Sequence, residues 1–215
     1  MRGAALSLAL VLAAAPAGAQ PAPPTTREQA LELMKRGNAE ARREAVVALG
    51  RLGAMGDAPV LLKALRDEDE GVRALAENAL WDVWSRSGDA QVDALFQHGV
   101  EQMTNGAAEA AIETFTLVIT KKPDFAEGWN KRATIYYLVG EYQKSLHDCA
   151  EVIKRNPQHW GALAGYGQIY LALDQPEMAL DYFQRALRVN PNLGQVEAAV
   201  EELKRLILEK RKGTI

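Results

Sequence analysis

The chain has one cysteine, three histidines and few aromatic residues, and each scarcity removes a class of explanation. Cys149 has no second cysteine to pair with, so stability has to come from packing rather than from disulfides. His98, His147 and His159 share no helical spacing of three or four, so no zinc ligand set is assembled and no metal site is expected. An excess of charge of one sign is also lacking. With 25 basic against 28 acidic side chains, the formal net charge of −3 gives no basic footprint of the kind nucleic acid or an anionic membrane demands. Long hydrophobic runs are confined to residues 4–15, well short of the roughly 20 residues needed to cross a bilayer.

That one run has its own reading. Met1 and Arg2 form a minimal basic start, the apolar stretch carries Leu6, Leu8, Leu10, Val11 and Leu12, and Ala17-Gly18-Ala19 supplies small residues before Gln20. The pattern is that of a secretory signal peptide over 1–19. The expectation is an exported protein, periplasmic or else secreted, with no membrane insertion after cleavage. Pro21, Pro23 and Pro24 then make 20–26 an extended linker.

Three further prolines organise the second half. Pro123, Pro157 and Pro191 recur at a spacing of 34, and other slots keep step with them. One slot holds Leu95, Trp129 and Leu163, and the slot four further on holds Gly99, Ala133 and Gly167. Later slots hold Gln102, Tyr136 and Tyr170, then Ala111, Ser145 and Ala179, then Phe115, Cys149 and Phe183. Two antiparallel helices approach closely only where side chains are small, so tiny residues face one another while large ones fill the flanks. Asn105-Gly106, Val139-Gly140 and Asp174-Gln175-Pro176 fall where the intervening turns are needed. Over 89–191 the chain resembles the tetratricopeptide repeat family, with copies at about 92–125, 126–159 and 160–191. Leu193, Val196, Val200, Leu203 and Ile207 then predict a capping helix over 192–212.

A different period precedes these copies. Leu31, Met34, Arg42, Ala45, Leu49 and Leu52 recur 31 residues later as Leu62, Leu65, Arg73, Ala76, Leu80 and Val83. Residues 27–87 therefore resemble two short HEAT-like repeats, each a helix, a tight polar turn and a second helix. Two such copies are fewer than the roughly three an independent solenoid needs, so this segment is expected to pack against the first tetratricopeptide helix. Trp81 and Trp84 are the expected junction and Ser87-Gly88-Asp89 the hinge. The fold class is all-α, a right-handed helical-hairpin solenoid preceded by short HEAT-like repeats.

Chemistry is sparse. His147-Asp148-Cys149 contains the residue types of thiol catalysis, but neighbours on a helix point about 100° apart and cannot converge on one atom. Asp67, Asp69 and Gly71 suggest a calcium loop, yet Val72 and Asn78 stand where such a loop wants Gly and Glu. An acidic helix cap accounts for them. Gly165-Tyr166-Gly167 lacks the third glycine and the preceding strand of a nucleotide fingerprint. The chain is read as having no catalytic residue and no cofactor.

What the resemblance leaves is a groove lined by the first helix of each pair. It implies Phe96, Val100, Met103, Asn130, Lys131, Thr134, Tyr137, Gln168 and Leu171 as protein-binding residues. A basic clamp for carboxylate termini, known in cytosolic chaperone-binding members, would need Lys, Asn and Arg at positions where this chain has Phe96, Val100, Lys131, Gly161 and Gly165. Only one is present, so an apolar or amphipathic peptide is the better match. The expected function is a non-catalytic interaction scaffold in the cell envelope; the alternative is a self-assembling or envelope-complex subunit that uses the HEAT-like face. Oligomeric state stays open.

Overall fold

A computed structural model describes residues 23–213, and its regular elements are all helical. The expected signal peptide lies outside the described residues. Four helices form the first half: α1 (Arg27–Arg36), α2 (Ala39–Leu52), α3 (Ala58–Ala64) and α4 (Glu70–Trp84), with a short 3-10 turn at Met55–Asp57. Seven follow: α5 (Ala90–Thr104), α6 (Ala108–Lys121), α7 (Ala126–Leu138), α8 (Tyr142–Arg155), α9 (Trp160–Ala172), α10 (Pro176–Val189) and α11 (Gly194–Gly213).

Local chemistry sets the boundaries. Thr26 opens α1 with a capping box to Gln29, Asn38 caps Ala41 at the start of α2, and Asp69 caps Val72 at the start of α4. The acidic residues that suggested a calcium loop are thus occupied otherwise: Asp67 takes a bidentate pair from Arg42 at 2.9 and 2.7 Å, and Asp69 takes one from Arg43. The turns inside the first two tetratricopeptide-type pairs use Gly106 and Gly140 at φ of 76° and 80°; the third uses Asp174 at 53°. Asp reaches the left-handed region more easily than most residues with a Cβ.

Inside each pair the small-against-large rule holds in three dimensions. A Cβ on Gly99 would sit 2.9 Å from the Phe115 ring, and one on Gly167 would overlap Phe183. In the middle pair Ser145 replaces alanine and donates to the Ala133 carbonyl at 2.7 Å, while Cys149 fills the phenylalanine slot. Phe115, Phe183 and Cys149 are all buried. Each fully buried large apolar side chain contributes about 1.5–3 kcal/mol. Val200, Leu203 and Ile207 of α11 are buried too, Val200 and Leu203 against Ala179 and Phe183 of the last pair.

The junction between the two halves differs from expectation. Trp81 and Trp84 do not seat on α5; they pack on His159 and Trp160 at the start of α9, with ring centroids 4.4–5.4 Å apart. Leu163 and Ala186 join the same core as the HEAT-like helices. Polar contacts extend the seam: Arg66 donates to the Val189 carbonyl at 3.0 Å, Asn190 to Glu77 at 3.1 Å, and Asn192 to the Leu65 carbonyl at 2.8 Å. The chain therefore reverses at 85–89 and lays its first half across the second and third repeats. Two HEAT-like copies are completed sideways, by a neighbouring array, rather than end to end.

Candidate functional site: a half-covered groove

Helices α5, α7 and α9 stand side by side and present the surface on which a partner segment would lie. Its two ends have different fates. At the start of α7 and α9 the HEAT-like half covers it, with the Trp81 ring so close to Gly161 that a Cβ there would overlap it. Gly161 is small because an indole occupies that space.

Under the indoles lies a buried polar pair. Glu127 and His159 are both 0% exposed and hydrogen-bonded to each other. His159 Nδ1 accepts from the Ala162 backbone N–H at 3.0 Å, capping α9, so Nε2 is the nitrogen that donates to Glu127. Burial works to raise the Glu127 carboxyl, but the hydrogen bond from His159, aided by the charge of Lys131 and a hydrogen bond from Asn130, outweighs it and holds the group below the usual carboxylate range. Lys131 Nζ is 3.8 Å from Glu127 and 5.8 Å from the centre of the Trp81 ring, and Asn130 Nδ2 donates to Glu127 at 3.1 Å.

These contacts correct three of the sequence-derived groove residues. Asn130, 8% exposed, and Lys131, half-buried, serve the Glu127 pair and the tryptophan junction rather than standing open. Phe96, 1% exposed, turns inward between the rings of Phe115 and Phe125, because α5 buries that face against α6 and the start of α7. The other six lie toward the far ends of the same helices. Thr134, Gln168 and Leu171 are exposed, and Val100, Met103 and Tyr137 are half-buried. Tyr137 leans on Tyr142 at 5.9 Å. Sequence reasoning placed Trp81 and Trp84 at a junction but missed Glu127 and His159 as its polar centre. One signal was available: the first slot of the third repeat holds Trp160 where the other two hold Val92 and Ala126.

The remaining constellation is structural. Asp148 takes a bidentate pair from Arg132 at 2.7 and 2.9 Å, and Cys149 is buried with Ala133, Tyr166 and Ile169. Burial, reinforced by Asp148, pushes the Cys149 thiol up to about 12, so it holds its proton at neutral pH and is no nucleophile.

Comparison with known proteins fits this architecture. The tetratricopeptide repeat profile matches residues 163–193 and the HEAT repeats profile matches residues 4–81, starting within the stretch read as a signal peptide. A TPR repeat-containing protein of Rhizobium etli is 31% identical over 152 residues, which are 71% of this chain and 72% of that protein. Tetratricopeptide repeat protein 12 of Mus musculus is 29% identical over 108 residues, 50% of this chain but only 15% of its own length. Among solved structures, the Sgt2 TPR domain from Aspergillus fumigatus aligns at a TM-score of 0.55 and 19% identity, covering 59% of this chain and 85% of that one. The first TPR of Spaghetti (RPAP3), bound to the HSP90 peptide SRMEEVD, aligns at 0.53 and 21%, covering 56% and 96%. By the extent of the Rhizobium match, the chain belongs to the TPR repeat-containing proteins.

Proposed function

We propose that the protein is a non-catalytic interaction scaffold of the cell envelope that holds an apolar or amphipathic peptide segment in the open half of its groove. The observation that carries this reading is the surface of Val100, Met103, Thr134, Tyr137, Gln168 and Leu171, mostly apolar and exposed or half-buried, while the other half is filled by the chain itself. Its chemistry is unlike that suited to an acidic peptide such as SRMEEVD, because the one clamp-position cation, Lys131, is already engaged with Glu127 and Trp81. Affinity here comes from apolar side-chain contact, with the Gln168 amide and the Thr134 hydroxyl fixing register. Export rests on the pattern of residues 1–19.

The test is affinity capture from envelope extract with residues 20–215, comparing wild type with a Tyr137→Ala, Leu171→Ala double variant. Both side chains are at least partly exposed, and a helical circular-dichroism spectrum equal to that of wild type checks that the variant folds. A protein retained by wild type and lost with the variant supports the reading; identical recovery by both contradicts it. A second reading, assembly through the HEAT-like face, is favoured by one feature: a cleft of about 890 Å³ by α1 and α3, lined by Leu31, Met34 and Val60 together with Lys35, Lys63 and the Arg42–Asp67 pair. Mass that rises with concentration in light scattering would move the assignment there.

A further inference from the structure

A second, smaller cavity, of about 120 Å³, lies where three turns meet. Trp84 and Arg86 reach it from the end of α4, Lys122 and Asp124 from the α6–α7 turn, and Arg155 and Asn156 from the α8–α9 turn. Among the described residues, two buried side-chain atoms lack a hydrogen-bond partner, Trp84 Nε1 and Asn156 Nδ2, and both residues line this cavity. Trp84 is 3% exposed and Asn156 8%. An indole N–H can only donate. The Asn156 amide is held in one orientation because its Oδ1 accepts from the Gln158 N–H at 3.2 Å, leaving Nδ2 as the free donor. A buried donor without an acceptor is costly and asks for an explanation.

The repeat supplies its own template for the missing acceptor. Asn190 stands 34 residues on, in the same slot, and uses its Oδ1 alike, accepting from the Asn192 N–H at 3.0 Å. Its Nδ2 donates to a carboxylate oxygen of Glu77 at 3.1 Å. At Asn156 no carboxylate among the described residues fills that role. The surroundings favour an anion: Arg86, Lys122 and Arg155 line the cavity against the single carboxylate of Asp124, which pairs with Lys122 at 3.5 Å. Arg155 is itself paired with Glu151, and Arg86 is anchored by the carbonyls of Gly50 and Gly53, both at 2.7 Å. A volume equal to about four waters, each roughly 30 Å³ in the liquid, admits a carboxylate group.

We infer that this cavity is a binding site for a carboxylate, from a small organic acid or from the end of a peptide, whose oxygens accept from Trp84 and Asn156 and whose charge is met by Lys122 and Arg86. The site shares no residue with the open half of the groove and stands whether or not that half binds a partner.

The indole N–H signals of Trp81, Trp84, Trp129 and Trp160 in a nitrogen-15 NMR spectrum report on it, with Trp84 assigned through Trp84→Phe. Acetate, titrated at constant ionic strength against chloride, is expected to move the Trp84 signal saturably while chloride does not. Lys122→Gln should weaken the binding about tenfold, the loss of one charge-assisted contact, with the other three signals unmoved to show an intact fold. N-acetyl-dialanine with a free C-terminal carboxylate, compared with its amide, separates the sources: tighter binding of the acid than of acetate assigns the site to a peptide end, and equal or weaker binding assigns it to a small acid. A Trp84 signal that does not move, or that moves equally with chloride or in Lys122→Gln, overturns the proposal and leaves the cavity to water.

Discussion

At the scale of single residues, glycine separates close packing from mere habit. Gly99 is held by the Phe115 ring, whereas a Cβ on Gly165 would meet only Cys149 Sγ, at an ordinary 3.6 Å. Gly99→Ala is expected to lower stability by about 1–2 kcal/mol, overpacking outweighing the gain in helix propensity. Gly165→Ala should be neutral or stabilising by up to about 1 kcal/mol, because nothing opposes that gain. Denaturant titration of the pair checks both signs, and equal destabilisation would mean that the Phe115 contact is not what fixes Gly99. The same residues show what the sequence made legible: small slots facing large ones were readable because they repeat. Asn130, Lys131 and Phe96 were misread because a repeat position predicts which way a residue faces only when nothing else in the chain lies across that face.

At the scale of elements, the HEAT-like helices are tied by arginine–carboxylate pairs. A hydrogen bond from Arg43 holds Asp69 down at about 2. Asp57 is lowered first by its hydrogen bond from Arg27, and Asp67 stays below the usual range because Arg42 and a backbone N–H overcome the effect of burial. A carboxyl depressed on folding adds stability that is fully present above its unfolded value, near 3.9 for Asp, and is lost as pH falls through the folded one. The melting temperature should therefore hold steady down to about pH 4 and drop steeply toward pH 2. Asp69→Asn should lower the plateau and flatten the drop. A slope unchanged by that substitution would show that the acid sensitivity resides elsewhere. These pairs were half legible. The sequence placed Asp69 at a helix start, but Arg42 and Arg43 meet their partners only through the packing of α2 against α4.

At the scale of the whole molecule, the HEAT-like array shares a core cluster with the third repeat, while the first pair of the second array packs in a cluster of its own. The expectation of a junction on α5 followed chain order, and the structure instead folds the first half back onto α9, because two HEAT-like copies leave an apolar flank that Trp160, Leu163 and Ala186 cover. Helix content and pairing were readable from periodicity, whereas the angle of return at 85–89 was not, since no spacing encodes where a hinge sends the chain. A shared core predicts one cooperative transition, with circular dichroism and tryptophan fluorescence coinciding. Trp81→Ala, which removes a half-buried ring from the seam, should cost about 2–4 kcal/mol and separate the two traces. Two transitions already present in wild type would contradict the shared core.

The same return makes the groove asymmetric, closed at Gly161 and open from Thr134 to Leu171, and this asymmetry is the centre of the functional account. The most direct test places a photoreactive amino acid at one position at a time, at Tyr137, at Gln168, and at Leu117, which is 45% exposed on the second helix of its pair, and irradiates the protein in envelope extract. The account predicts adducts of one partner from positions 137 and 168 and none from 117. Adducts from 117 alone, or equally from all three, would contradict it.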